Sequence, residues 1–187
     1  MIAIGTAGWN IPRAHKPRFP AVGTGLQRYA GGLNAVEINT SFYRPHAAQT
    51  YARWAAAVPA GFRFAVKMPK VISHERALTR ARAPLEQFLA EIAGLGGTLG
   101  VLLLQLPPSH AFDARRVGRF FELLRARHDG AVVCEPRHAT WASWPRKGCG
   151  YIRWVPVATH GPDPGAPCPR FSPAPTSNRR PDGESAR

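Results

Sequence analysis

Five short stretches of this chain end an apolar run in side chains able to move protons or hold an anion. Glu37 sits inside Ala35-Val36-Glu37-Ile38-Asn39. An unpaired carboxylate among aliphatic neighbours is costly, so it is either paired or placed at a site. Lys67 ends Phe62–Lys67 and is one of only four lysines, Lys16, Lys67, Lys70 and Lys147. It reads as an ordinary strand-end charge or as a functional one: a compact ammonium shifts its pKa as Arg does not, which suits phosphate binding or proton transfer. His74 and Glu75 form either a solvated loop pair or part of a site. Gln105 closes a run of aliphatic residues and has few structural reasons to be there. Glu135, Arg137 and His138 lie within four residues, as a simple salt-bridge cluster or as a general base beside an anion clamp.

The catalytic candidates are therefore Glu37, Lys67, His74, Glu135 and His138. Trp9, Asn39, Tyr43, Gln105 and Arg137 are the ligand-binding candidates, and Trp9, Phe42, Tyr43 and Trp141 supply aromatic walls or simply core. Glu37, His74, Glu135 and His138 are also the residue types that hold metals, but their spacing matches no ligand pattern, so neither metal nor cofactor is expected. There is no G-x-S-x-G, no P-loop and no H-E-x-x-H.

Positioning these residues falls to alternating strands and helices. Strands are expected at Ile2–Thr6, Ala35–Asn39, Phe62–Lys67, Leu99–Leu106 and Ala131–Glu135. The fourth is nearly all aliphatic, as a strand buried on both faces would be. Between them Leu26–Ala30, Ala47–Val58, Pro84–Leu95 and a segment capped by Asp113 and running to Arg125 carry helical periodicity. Strand–helix repeats with long crossovers imply a parallel sheet, either a barrel or a doubly wound sheet. No G-x-G-x-x-G follows the first strand, which favours the barrel. In such a barrel the loops after the strands' carboxyl ends form one rim, and every polar candidate above falls there.

Composition narrows the partners. The formal charge is +14, which invites a nucleic-acid reading. Yet 21 of the 25 basic residues are Arg, scattered along a chain rich in Ala, Gly and Pro, which is what GC-rich codons give. Attraction to small anions survives as a general consequence, while a dedicated nucleic-acid surface is not favoured. Cys134, Cys149 and Cys168 have no C-x-x-C spacing and read as free thiols. Nothing reads as a secretory signal, and no stretch approaches the ~18 apolar residues of a membrane span, so a cytoplasmic protein without a membrane partner is expected.

The character changes at residue 142. Residues 142–187 hold nine of the 19 prolines, and after Val157 there is no apolar periodicity. The expectation is a partial barrel domain over 1–141 and an aberrant tail over 142–187, with Pro156–Arg187 disordered.

The motifs resemble those of the domain-of-unknown-function-72 (YecE-like) family. Gly5-Thr6-Ala7-Gly8-Trp9 is similar to its G-T-S-G-W opening, and Glu37-Ile38-Asn39-Thr40-Ser41-Phe42-Tyr43 to its E-I-N-S-T-F-Y. Phe62–Pro69 resembles F-x-F-x-V-K-x-P, with Ser73-His74 where the family has T-H. Gln105-Leu106-Pro107-Pro108 resembles Q-x-P-P, and Glu135–Trp141 resembles E-x-R-H-x-S-W, with Pro136 a departure. The resemblance covers residues 2–141 and implies an incomplete TIM-type (β/α)8 barrel of about five βα units, with no assigned activity. After Trp141 it stops, and a frameshift near 142–148 accounts for such Pro/Arg-rich sequence better than a deletion does.

Three functions compete. The first is an enzyme-type barrel acting on a small anionic or sugar-phosphate-like ligand at the rim. Glu37 or Glu135 would be the base and His74 or His138 the acid. Lys67 and Arg137 would hold the anion, and Gln105, Asn39 and Tyr43 would orient the ligand. The second is nucleic-acid binding through the basic surface. The third is a truncated remnant without function.

Overall fold

A computed structural model describes the backbone of residues 2–143 and 152–154. The expected tail falls almost wholly outside the described residues, as do Lys147, Cys149 and Cys168. The described residues belong to one compact unit, Met1–Val157.

Among the described residues, four α-helices and the first four strands alternate, followed by a fifth strand: α1 (Gly25–Ala30), β1 (Ala35–Ile38), α2 (Ala48–Ala56), β2 (Arg63–Lys67), α3 (Arg82–Ile92), β3 (Leu99–Gln105), α4 (Ala114–Arg125), β4 (Val132–Glu135) and β5 (Ile152–Trp154). All neighbouring strands are parallel, and their order in the sheet is their order in the chain. That order separates the two candidate architectures. A doubly wound sheet reverses strand order partway, which puts helices on both faces. Sequential order with right-handed crossovers puts every helix on one face, as in a barrel. The fold is α/β, an incomplete TIM-type barrel.

Local sequence explains the helix starts. Thr24 and Gln27 form a reciprocal capping box on α1, the Thr24 hydroxyl accepting from the Gln27 N–H and the Gln27 side chain accepting from the Thr24 N–H. The Asp113 carboxylate accepts the Arg116 N–H at 3.0 Å and starts α4. The α4 stripe Val117, Phe120, Phe121 and Leu124 is buried. Gly94 lets the turn after α3 meet α2, because a Cβ there would stand 2.3 Å from the Ala48 carbonyl oxygen.

One continuous core joins the helices to one side of the sheet. It contains Tyr51, Leu85, Phe88, Phe120 and Leu124 from helices and Val36, Ile38, Phe64, Val66, Leu102, Leu104, Val132 and Cys134 from strands. Each fully buried aliphatic or aromatic side chain here stabilises the fold by about 1.5–3 kcal/mol. The strand members are alternate residues, as the two-residue period of a strand requires.

Two expectations need correction. Ile2–Thr6 forms no strand, and its segment touches β1 through a single bridge, Ala7 to Glu37. Side chains intervene: Asn34 accepts the Ile4 N–H and donates to the Ile2 carbonyl, while the Tyr29 hydroxyl accepts the Thr6 N–H and donates to the Ala35 carbonyl. Side-chain bonds there replace a ladder, and Ile2 and Ile4 stay 81% and 60% exposed. Second, β3 is not buried on both faces, since only Leu102 and Leu104 within it are fully buried. Beyond these, Ile152–Trp154 pairs with β4 as a strand.

Candidate functional site

Strand parity decides what the other face carries. With Val36 and Ile38, Phe64 and Val66, Leu102 and Leu104, and Val132 and Cys134 turned to the helices, Glu37, Lys67, Gln105 and Glu135 turn away from them. The register sets their heights. Glu37 pairs with Ala65, two residues before Lys67; Lys67 pairs with Leu103, two before Gln105; and Gln105 pairs directly with Glu135. The polar residues thus climb diagonally across the sheet, and the strand tilt of a barrel brings such a diagonal toward one level.

Glu135 is the anchored member. Its Oε1 accepts from Gln105 Nε2 at 2.8 Å and from Arg137 Nε and Nη2 at 3.1 and 3.0 Å. Three donors on one oxygen hold the carboxylate in place and commit the Arg137 charge to it. Lys67 differs, having no carboxylate oxygen within ion-pair distance among the described residues. Its ammonium lies 4.6 Å from the centre of the Phe42 ring.

The edge of the same Phe42 ring region meets His74, with ring centroids 4.9 Å apart. His74 stands in a π-helical turn, Val71–Glu75, and its Nδ1 shares a hydrogen bond with the buried Ser73 hydroxyl at 2.9 Å. Burial, then the charges of Lys67 and Arg137, push its pKa below the ordinary imidazole value.

The Glu37 carboxylate has no hydrogen-bond or ion-pair partner among the described residues, although its backbone N–H and carbonyl are bonded to Thr6 and Gly8. Burial raises its pKa above the usual carboxylate value; Lys67 pulls it back and Glu135 pushes it up. Glu37, Lys67, His74, Glu135, Arg137 and Gln105 therefore form one electrostatic group. Glu37 also borders a cavity of about 510 Å3 shared with Trp9, Asn10, Lys16, Arg28 and Asn39. Asn39 borders the same cavity, and its Oδ1 is buried without a hydrogen-bond partner.

Other candidates go elsewhere. Tyr43 is 68% exposed and lines a separate cavity of about 270 Å3 with Arg44, Lys70 and Glu91. His138 serves its own turn, its Nδ1 accepting the Thr140 N–H at 3.2 Å and bonding the Thr140 hydroxyl at 2.8 Å. Trp141 is core rather than wall, 1% exposed, with its indole N–H donated to the His110 carbonyl. Glu75 pairs with Lys70 at 3.1 Å. Among the described residues no cluster of three or more His, Cys, Asp or Glu side chains is arranged to hold a metal ion. No described helix is long and apolar enough to cross a membrane.

Sequence reasoning missed Lys16 and Arg28, which lie between the Gly5–Trp9 and Glu37–Tyr43 motifs and reach the site only through the fold. It also missed Ser41, whose hydroxyl lies 2.9 Å from the Ile38 carbonyl oxygen and 2.7 Å from that of Lys67. A small polar residue directly after a strand end was the available signal.

The sequential parallel sheet, with one face packed by helices and a polar group at the carboxyl ends of β1 to β4, defines the chain as a TIM-type barrel protein. The chain belongs to the family described as "Protein of unknown function DUF72", which matches residues 3–153. The UPF0759 protein YecE of Escherichia coli K12 is 34% identical over 108 residues, covering 57% of this chain and 38% of that protein. The UPF0759 protein YunF of Bacillus subtilis 168 is 28% identical over 153 residues, covering 78% of this chain and 54% of its own length. The chain thus spans between about a third and about half of the curated relatives it matches. A DUF72 family protein of Enterococcus faecalis superposes with a TM-score of 0.62 at 25% identity, covering 76% of this chain and 53% of that one. A DUF72 family protein of Thermotoga maritima gives 0.59 at 25%, covering 75% and 57%.

Proposed function

We propose that the rim group binds a small anionic, hydroxylated ligand of the sugar-phosphate kind and transfers a proton on it, with Glu37 as the base. The observation that carries this reading is Glu37 itself: half-buried, unpartnered and raised in pKa, beside a lysine without a carboxylate partner. A carboxylate held in that way is a stronger proton acceptor than a solvated one, and it costs the fold stability, a combination that clusters at functional sites. Of the two bases read from sequence, Glu135 is spoken for by Gln105 and Arg137. Burial is what raises the Glu37 pKa, and the negative charge of Glu135 adds a smaller push in the same direction.

Lys67, close enough to Glu37 to lower its pKa, supplies positive charge for the anion, and Lys16 and Arg28 add theirs along the cavity that Glu37 borders. Asn39 and Trp9 form walls of the same cavity and orient the ligand in it. His74 is favoured over His138 as proton donor. Burial and the nearby charges of Lys67 and Arg137 favour its neutral form, whose remaining ring N–H is the proton it offers to the ligand. Arg137 steadies Glu135 in this reading rather than clamping the anion.

The test is a thermal-shift series with hexose and triose phosphates, with inorganic phosphate as reference, on wild type and Lys67→Ala. A ligand at about 100 times its Kd stabilises by about 2.7 kcal/mol, a shift of several degrees. The expectation is a shift for a sugar phosphate, larger than for phosphate alone and abolished in Lys67→Ala. Equal shifts in the two proteins, or none across the series, would remove the proposal.

A further inference from the structure

Apart from the rim group, a groove of about 540 Å3 runs between residues 78–82 and α4. Its walls carry Arg80 and Arg82 on one side and Arg116, Arg119 and Arg127 on the other. The sequence scatters these arginines over 48 positions, and packing gathers them. Three are partly spent. Glu86 takes Arg127 at 2.8 Å and Arg82 at 3.6 Å, and Asp113 takes Arg116 at 3.8 Å. Glu122 is the acid among the lining residues. Arg80 and Arg119 are exposed and have no ion pair among the described residues.

The backbone adds a second, independent observation. Ala77, Leu78 and Arg80 have φ of 46°, 67° and 47°, left-handed values that cost non-glycine residues about 1–3 kcal/mol each. The loop is fastened in that shape. The Leu78 N–H donates to the Ile72 carbonyl, the Thr79 N–H and hydroxyl donate to the Arg76 carbonyl, and Arg76 Nη1 donates to the Arg80 carbonyl. Leu78 is buried at 4% exposure, so the strained turn is anchored while Arg80 projects from it. Structure is being spent to hold a guanidinium at the lip of a basic groove.

We infer that this groove binds the phosphate backbone of a nucleic-acid duplex, independently of base sequence. Guanidinium forks match phosphate oxygens bidentately. From Arg116 to Arg127 is about three helical turns, roughly 16 Å, long enough to meet several phosphates rather than one. Phe120 is the aromatic residue in the lining and is 1% exposed, so no ring is offered for base stacking. That separates a backbone-tracking surface from a single-strand platform. The net charge of +14 adds long-range attraction toward a polyanion. This site shares no residue with the rim and stands or falls separately from the small-ligand reading.

The measurement is fluorescence anisotropy of a labelled duplex of about 20 random base pairs, titrated with the full chain from about 50 to 200 mM salt. Three proteins are compared: wild type, Arg80→Ala/Arg119→Ala, and Arg13→Ala/Arg18→Ala, which removes the same charge from a turn outside the groove. The groove pair is expected to lose about tenfold in affinity and to flatten the plot of log K against log salt by about two, with the control near wild type. The single exposed substitution Arg119→Ala is expected to flatten it by about one, guarding against misfolding of the double variant. Equal losses in the groove and control pairs would assign binding to diffuse charge and overturn the proposal. So would the absence of salt-dependent binding. Competition by polyglutamate or inorganic polyphosphate as effective as unlabelled duplex would replace the nucleic acid with another polyanion and overturn it as well.

Discussion

On the helix side of the sheet, Phe64, Val66, Leu102, Leu104 and Val132 are 0% exposed, while one residue along each strand Glu37, Lys67, Gln105 and Glu135 keep access to solvent. The helix face is a single apolar cluster without a charged member. The opposite face runs from Ala35, Ala65 and Val101 up to the polar diagonal at the carboxyl ends. A strand's two-residue period lets the same backbone serve both ends at once. Stability is concentrated on one face and chemistry on the other, so the two respond to different substitutions.

The largest effect should come from testing that division directly. Leu104→Ala removes a fully buried side chain from the helix face and should cost about 3 kcal/mol in urea unfolding. Leu103→Ala, its half-exposed neighbour on the other face, should cost less than about 1 kcal/mol. Equal losses would mean that the second face is packed as firmly as the first.

A smaller effect of opposite sign is expected at Glu37. A carboxyl whose folded pKa is raised lends stability below its unfolded pKa and loses it as pH rises through the folded value. Glu37→Gln cannot titrate, so it should match wild type near pH 4 and be the more stable protein at pH 7, by less than about 1 kcal/mol. It should also lose any ligand-dependent shift. A variant less stable than wild type at pH 7 would show that the carboxylate is paired and that the polar face is structural.

The smallest effect is spectroscopic. Titrated by NMR, His74 should show a midpoint below the ordinary imidazole value, and Lys67→Ala should move it upward, since Lys67 is the leading charge that lowers it. Acid should then cost folding stability as pH falls through that lowered midpoint. No movement in the variant would break the electrostatic link between β2 and the π-turn.

Much of this was legible in the chain because the same period writes both faces. Alternation around Glu37 and Lys67, and the aliphatic run ending in Gln105, placed four strands to within a residue or two and set the polar group at their ends. What stayed illegible depended on contacts distant in sequence. Ile2–Thr6 has strand composition, but Asn34 and Tyr29 occupy the bonds that a ladder would use. Arg137 and His138 had the right types beside Glu135. One is consumed by the glutamate and the other by Thr140, and neither outcome shows in spacing. The basic groove was invisible for the same reason, its arginines being neighbours only once residues 78–82 lie against α4.

Ser41 has a consequence for how this rim can change over time. Its one proton is shared between the last carbonyls of β1 and β2, so the exits of both strands hang on one hydroxyl. Loops on barrel rims ordinarily lengthen and shorten freely, which is how one scaffold acquires new specificities. This one acts as a strap of fixed length: an inserted residue between Ile38 and Ser41 would move the hydroxyl off both carbonyls and lift Phe42 from beneath Lys67. Novelty at this rim must be recruited from its other loops, with the β1 exit as the fixed reference from which they are measured.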